Sequence, residues 1–111
     1  FWVVTATTKD HVLSKDVALA AKSTATVVIL MGMHKLAEIV KTFYAENKKN
    51  TPIAIIQNGT RENEKVGIGT IRNIQQVVNE QQLTSPAIII IGDVVQDRVI
   101  LDSISREVVQ V

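Results

Sequence analysis

No cysteine occurs among the 111 residues, so disulfides and thiolate-held metal ions are excluded. That absence fits a reducing compartment, and the cytoplasm is the expected setting. The two histidines, His11 and His34, are too few and too far apart in sequence to make a histidine-based metal site. Aromatic residues are only 4% of the chain, which leaves little material for base-stacking platforms. Twelve basic side chains are nearly balanced by eleven acidic ones, giving a formal net charge of +1. Such a balance carries no electrostatic footprint for nucleic acid, and no nucleic-acid partner is expected. No apolar run approaches the roughly 18 residues of a membrane span, so no membrane partner is expected either. The opening Phe1-Trp2-Val3-Val4 lacks the basic flank and cleavage site of a signal peptide and reads as a strand that begins abruptly. No initiator methionine precedes it. The expectation is a piece of a longer protein whose upstream part is missing.

Hydrophobic residues make up 46% and charged residues 21% of the chain, the balance of an ordinary globular domain. A length of 111 residues points to one domain, 1–111, with a core large enough to need no covalent staple. Five apolar runs stand out: Phe1–Val4, Thr26–Met31, Ile53–Ile56, Val66–Ile71 and Ala87–Ile91. Thr26–Met31 and Ala87–Ile91 are continuously apolar and rich in β-branched residues, as in strands covered on both faces. Gly67 and Gly69 interrupt the fourth run, which predicts an edge strand, a bent strand, or one lying close to a neighbour's backbone. Helical spacing separates the runs. Leu36, Ile39, Val40, Phe43 and Tyr44 form one stripe, and Ile71, Ile74, Val77 and Val78 form another. Ser14 is placed to cap a short helix with Val17, Ala20 and Ala21 on its apolar side, and a last helix is expected over Asp97–Ser103. Thr51-Pro52 and Ser85-Pro86 each mark the entry to a strand. The order is strand, helix, strand, helix, strand, strand, helix, strand, helix. Two adjacent strands break the alternation, so the fold class is α/β with a mixed, parallel and antiparallel, five-stranded sheet flanked by about four helices.

Candidate chemistry is sparse. Asn58-Gly59-Thr60 follows a buried strand; it reads as a tight turn, and Gly59 also permits close approach of a ligand to the backbone. Met31-Gly32-Met33 ends the second strand, where ligands usually sit in α/β sheets, although local sequence alone favours Met31 as core and Gly32 as a turn. Gly67-Ile68-Gly69 lacks the third glycine of a dinucleotide loop. Arg61-Glu62-Asn63-Glu64-Lys65 reads as a solvated loop, and Lys48-Lys49 as a helix-end pair favoured by the macrodipole. His11 and His34 read as exposed polar residues. No Ser–His–Asp set or carboxylate pair follows from spacing, and composition and periodicity alone reach no activity.

Four blocks in order carry a resemblance: Thr26-Val-Val-Ile-Leu-Met-Gly-Met33, Thr51-Pro-Ile-Ala-Ile-Ile-Gln-Asn-Gly-Thr60, Gly69-Thr-Ile-Arg-Asn-Ile74 and Ser85-Pro-Ala-Ile-Ile-Ile-Ile-Gly-Asp-Val-Val95. Together they resemble the tetrapyrrole methylase family, most closely its uroporphyrinogen-III C-methyltransferases and the methylase part of sirohaem synthases. The resemblance implies the carboxyl-terminal domain of a two-domain enzyme, whose absent amino-terminal domain carries the Gly-rich loop. It implies S-adenosyl-L-methionine as methyl donor, a tetrapyrrole as substrate and a homodimer as the working state. Met31, Gly32, Ala54, Gly59 and Thr60 are the implied cofactor-binding residues, and no catalytic residue or metal ligand falls in this chain. The implied reaction methylates two ring carbons of uroporphyrinogen III to give precorrin-2, with this chain inactive alone. A methylase of a later precorrin, or a non-catalytic ligand-binding module on the same fold, are the alternatives. The chain departs from the family where Thr5-Ala6-Thr7 stands for Thr-Gly-His, where Glu64-Lys65 stands for Gln-Arg, and where Leu101-Asp102-Ser103-Ile104 replaces a tryptophan-bearing segment.

Overall fold

A computed structural model of the chain describes residues 1–57 and 64–109. Five strands, β1 (Trp2–Thr5), β2 (Val27–Leu30), β3 (Pro52–Gln57), β4 (Lys65–Thr70) and β5 (Ala87–Ile91), form one sheet in the order β1-β2-β5-β3-β4. β1 runs parallel to β2, whereas β5 is antiparallel to both β2 and β3, and β4 is antiparallel to β3. The mixed sheet expected from the element order is therefore present. The C-terminal ends of β1, β2 and β3 share one edge of the sheet with the starts of β4 and β5.

Four helices cover the sheet: α1 (Lys15–Lys22), α2 (Leu36–Ala45), α3 (Ile74–Gln81) and α4 (Arg98–Val109). The four isoleucines of β5 show how the layers arise from a two-residue side-chain period. Ile89 and Ile91 join the cluster beneath α1, α2 and α3, with Val27, Ile29, Ile39, Phe43, Ile53 and Ile55. Ile90 turns the other way, into a smaller cluster with Val28, Ala54, Ile56, Leu101 and Ile104 beneath α4, and half-buried Ile88 packs against it. A strand buried on both faces has no polar side to present, which is why the run reads as continuously apolar.

Ser14 caps α1 as its spacing predicts: its hydroxyl accepts a hydrogen bond from the Asp16 amide at 3.1 Å, and Val17, Ala20 and Ala21 are buried. Ser14→Ala is expected to lower stability by about 0.5–2 kcal/mol, because an amide of the first turn loses its acceptor. A thermal melt followed by circular dichroism checks this; an unchanged midpoint would mean that the cap contributes nothing.

β4 satisfies one of the expectations for its glycines: it is an edge strand. What lies close to the glycines is side chains of α3 and its two ends, not a neighbour's backbone. A Cβ at Gly67 would come within 2.5 Å of Leu83 Cδ1, and one at Gly69 within 2.3 Å of Asn73 Oδ1. That Asn73 oxygen accepts a 2.8 Å hydrogen bond from the Thr70 amide, tying the end of β4 to the start of α3. Two details differ from the periodicity. Tyr44 is 41% exposed, because it follows Phe43 by one residue and so turns about 100° away from the buried stripe. α4 runs well past Ser103 to Val109, since Leu101, Ile104 and half-buried Val108 continue its contact with the sheet.

Candidate functional site

The sheet edge formed by the ends of β1, β2 and β3 gathers most of the unusual local structure. β2 stops at Leu30, and Met31 adopts a left-handed conformation with φ of 54°. A non-glycine residue pays a steric cost there, of order 1–2 kcal/mol, through its Cβ. The twist turns Met31 outward, and it is 63% exposed. Met31 is thus not part of the core.

Gly32, the next residue, is buried. A Cβ built on it would lie 3.0 Å from each of Ile29 Cγ2, Ile39 Cδ1 and Ile89 Cδ1. The missing side chain is therefore needed by the core: it lets the chain turn sharply from β2 over the isoleucines into a 3₁₀ turn, Met33–Lys35, and then into α2. The Lys35 amide closes that turn on the Gly32 carbonyl at 2.9 Å.

Met31, Met33 and His34 from this turn, with Ser85, Pro86 and Ala87 from the start of β5, line a shallow cleft of about 230 Å³. A drug-sized ligand commonly occupies a pocket of about 300–1,000 Å³, so this concavity is too small to enclose one by itself. The loop after β1 borders the same region. The Ala6 amide donates to the Leu30 carbonyl at 3.0 Å, and Ala6 is fully buried. The loop folds back on itself through the Thr8 amide and the Val12 carbonyl at 2.9 Å. His11 lies exposed in it, and His34 is exposed on the cleft wall. Among the described residues neither histidine is part of an ion pair.

The other expected site residues are distributed differently. Ala54 lies inside β3, paired with Ile68 of β4 and Ile90 of β5, and is buried beneath α4. It is not among the residues lining the cleft beside Met31. β3 ends at Gln57, at the same sheet edge as Met31. Gly59 and Thr60, with the Asn-Gly turn, lie outside the described residues. Gln57 was not singled out by sequence. It is buried, and its side-chain oxygen accepts from the Thr84 amide at 2.8 Å, which holds the segment entering β5 against the end of β3. A polar residue closing a continuous apolar strand was the available signal. Lys48 differs from its expectation: its ammonium does not serve the end of α2, which it follows, but donates to the carbonyl of Ser23, the C-cap of α1, and sits 5.9 Å over the Phe43 ring. Among the described residues no cluster of three or more His, Asp or Glu side chains is placed to hold a metal ion, and no helix is long and apolar enough to cross a membrane.

An open five-stranded mixed sheet covered by four helices defines an α/β domain. The family model for tetrapyrrole (corrin/porphyrin) methylases matches residues 2–75, and the chain belongs to that family. It is 36% identical over 105 residues to a uroporphyrinogen-III C-methyltransferase of Methanocaldococcus jannaschii, covering 93% of this chain and 42% of that protein. It is 40% identical over 76 residues to an S-adenosyl-L-methionine-dependent uroporphyrinogen III methyltransferase of Methanosarcina barkeri, covering 68% of this chain and 30% of the relative. In three dimensions it is similar to the uroporphyrin-III C-methyl transferase of Thermus thermophilus complexed with S-adenyl homocysteine. The TM-score there is 0.73 at 20% identity, over 86% of this chain and 42% of the other. A cobalt precorrin-4 methyltransferase, a cobalamin biosynthetic enzyme, shares the fold with a TM-score of 0.71 at 17% identity, over 81% of this chain and 39% of its own. The chain spans less than half the length of these relatives.

Proposed function

We propose that this chain is the carboxyl-terminal half of a uroporphyrinogen-III C-methyltransferase, lending one wall of the cleft that binds S-adenosyl-L-methionine. The observation that carries the reading is Met31, held at the end of β2 in a left-handed conformation and 63% exposed beside a shallow cleft. Exposed strain at a strand end of an α/β sheet is the kind of feature that function retains. A thioether packs softly on an adenosyl or methionine moiety. Met31, Gly32, Ala54, Gly59 and Thr60 are the proposed cofactor-binding set, with Gly32 shaping the wall from beneath and Gly59 admitting backbone groups. The names of the relatives support the donor and the substrate.

In the proposed reaction a ring carbon of uroporphyrinogen III attacks the methyl carbon of the sulfonium. The C–S bond breaks towards sulfur, S-adenosylhomocysteine leaves, and the ring sheds a proton. Two such transfers give precorrin-2. The work asked of this half is alignment of donor and acceptor in a closed cleft, which belongs to the entropy term of catalysis. The missing amino-terminal domain supplies the opposite wall and the acid and base groups. The complete protein works in the cytoplasm as a homodimer. The parent enzyme incubated with uroporphyrinogen III and the donor is expected to yield the dimethylated product; methylation of a later precorrin alone would overturn the substrate assignment. That second reading has one support, the shared fold with a cobalt precorrin-4 methyltransferase.

The chain of 111 residues is expected to bind the donor weakly or not at all in titration calorimetry, because the open cleft leaves most of the ligand's surface in water. Micromolar binding by this chain would refute the need for a second wall.

A further inference from the structure

The geometry points to Met31 as a site of reversible oxidation, where a peroxide-class oxidant converts the thioether to the sulfoxide while Met33 stays reduced. The chain holds only these two methionines, so each serves as the control for the other. They are two residues apart and line the same cleft, which equalises local composition. Their burial differs. Met31 is 63% exposed on a left-handed turn, whereas Met33 is half-buried and packed against the main core. Sulfoxidation follows access of the oxidant to the sulfur lone pair, and exposure is the quantity that separates the two.

The step balances with hydrogen peroxide. The sulfur lone pair attacks one peroxide oxygen, an S–O bond forms and the O–O bond breaks. The departing hydroxide takes up a proton as water. Sulfur loses two electrons and the peroxide gains them. A methionine sulfoxide reductase reverses the change. Because the Met31 side chain does not pack in the core, the sulfoxide leaves the fold intact. Its consequence, which rests on the proposed donor cleft, is regulatory: a soft apolar surface facing the donor becomes polar and chiral, and the donor is held less well.

The test is a hydrogen peroxide time course on the chain, with fragment-ion mass spectrometry separating Met31 from Met33. Oxidation at Met31 is expected to run at least roughly tenfold faster. M31L abolishes the fast phase and M33L leaves it, and the thermal midpoint is unchanged after selective oxidation. Equal rates, faster oxidation of Met33, or a fall in midpoint on modification of Met31 would overturn the assignment. A second arm repeats the course on the complete parent with and without S-adenosylhomocysteine. Protection of Met31 supports the regulatory consequence. Selective oxidation without protection sinks the donor wall and leaves the modification site standing, so the two failures are told apart.

Discussion

Replacement of Phe43 by alanine is expected to destabilise the domain by about 3–5 kcal/mol, the usual cost of truncating a buried aromatic ring. Phe43 is the largest fully buried side chain on α2, and it seals that helix over Val27 and Ile91 of the sheet. Its loss removes transfer free energy and leaves a cavity that the β-branched neighbours cannot collapse into, since their χ1 angles are stiff. The Lys48 ammonium above the ring would lose its cation–π partner as well. Small domains have roughly 5–15 kcal/mol of stability in total, so a large share disappears. Urea denaturation read by circular dichroism should show a lower midpoint with little change in slope. A loss below about 1 kcal/mol would contradict the packing of α2 on the sheet.

Gly32→Val has the next largest expected effect, about 1–3 kcal/mol, through overpacking. The added Cβ already meets three isoleucine methyls at 3.0 Å, and two further methyls must displace Ile29, Ile39 or Ile89. Gly32→Ala is expected to be milder, because the δ-methyls of Ile39 and Ile89 can swing away, whereas the Ile29 γ-methyl cannot. In the parent enzyme both changes disturb the turn that presents Met31, so donor affinity should fall with stability. A thermal melt of Gly32→Val that matches the unchanged chain would show that the glycine is not a packing requirement.

The expectation for the fold rested on side-chain period. Thr26–Met31 and Ala87–Ile91 announced buried strands because Val27–Leu30 and Ala87–Ile91 are apolar throughout, and the sheet covers both faces of those two stretches. The paired strands β3 and β4 were legible because no helical spacing lies between Ile56 and Val66. The end of α4 was not, since Ser103 and Ser105 dilute the apolar stripe, and only packing against the sheet carries the helix to Val109. Met31 was marked by its place at a strand end and by the family blocks. Its left-handed backbone had no sequence signal, because methionine has no preference for that conformation. Gly32 could be read as a turn, yet its reason is three isoleucines that come together only in the folded chain. Ala54 was marked only by its family block, and it lies buried in the smaller cluster with Val95, Leu101 and Ile104.

The central claim is that Met31 stands on the wall that holds the methyl donor. A crystal structure of the complete parent with S-adenosylhomocysteine bound tests it most directly. The account predicts the ligand in van der Waals contact with the Met31 side chain, at about 3.5–4.5 Å, above the turn that Gly32 supports. A ligand seated elsewhere, with Met31 facing water, would contradict it.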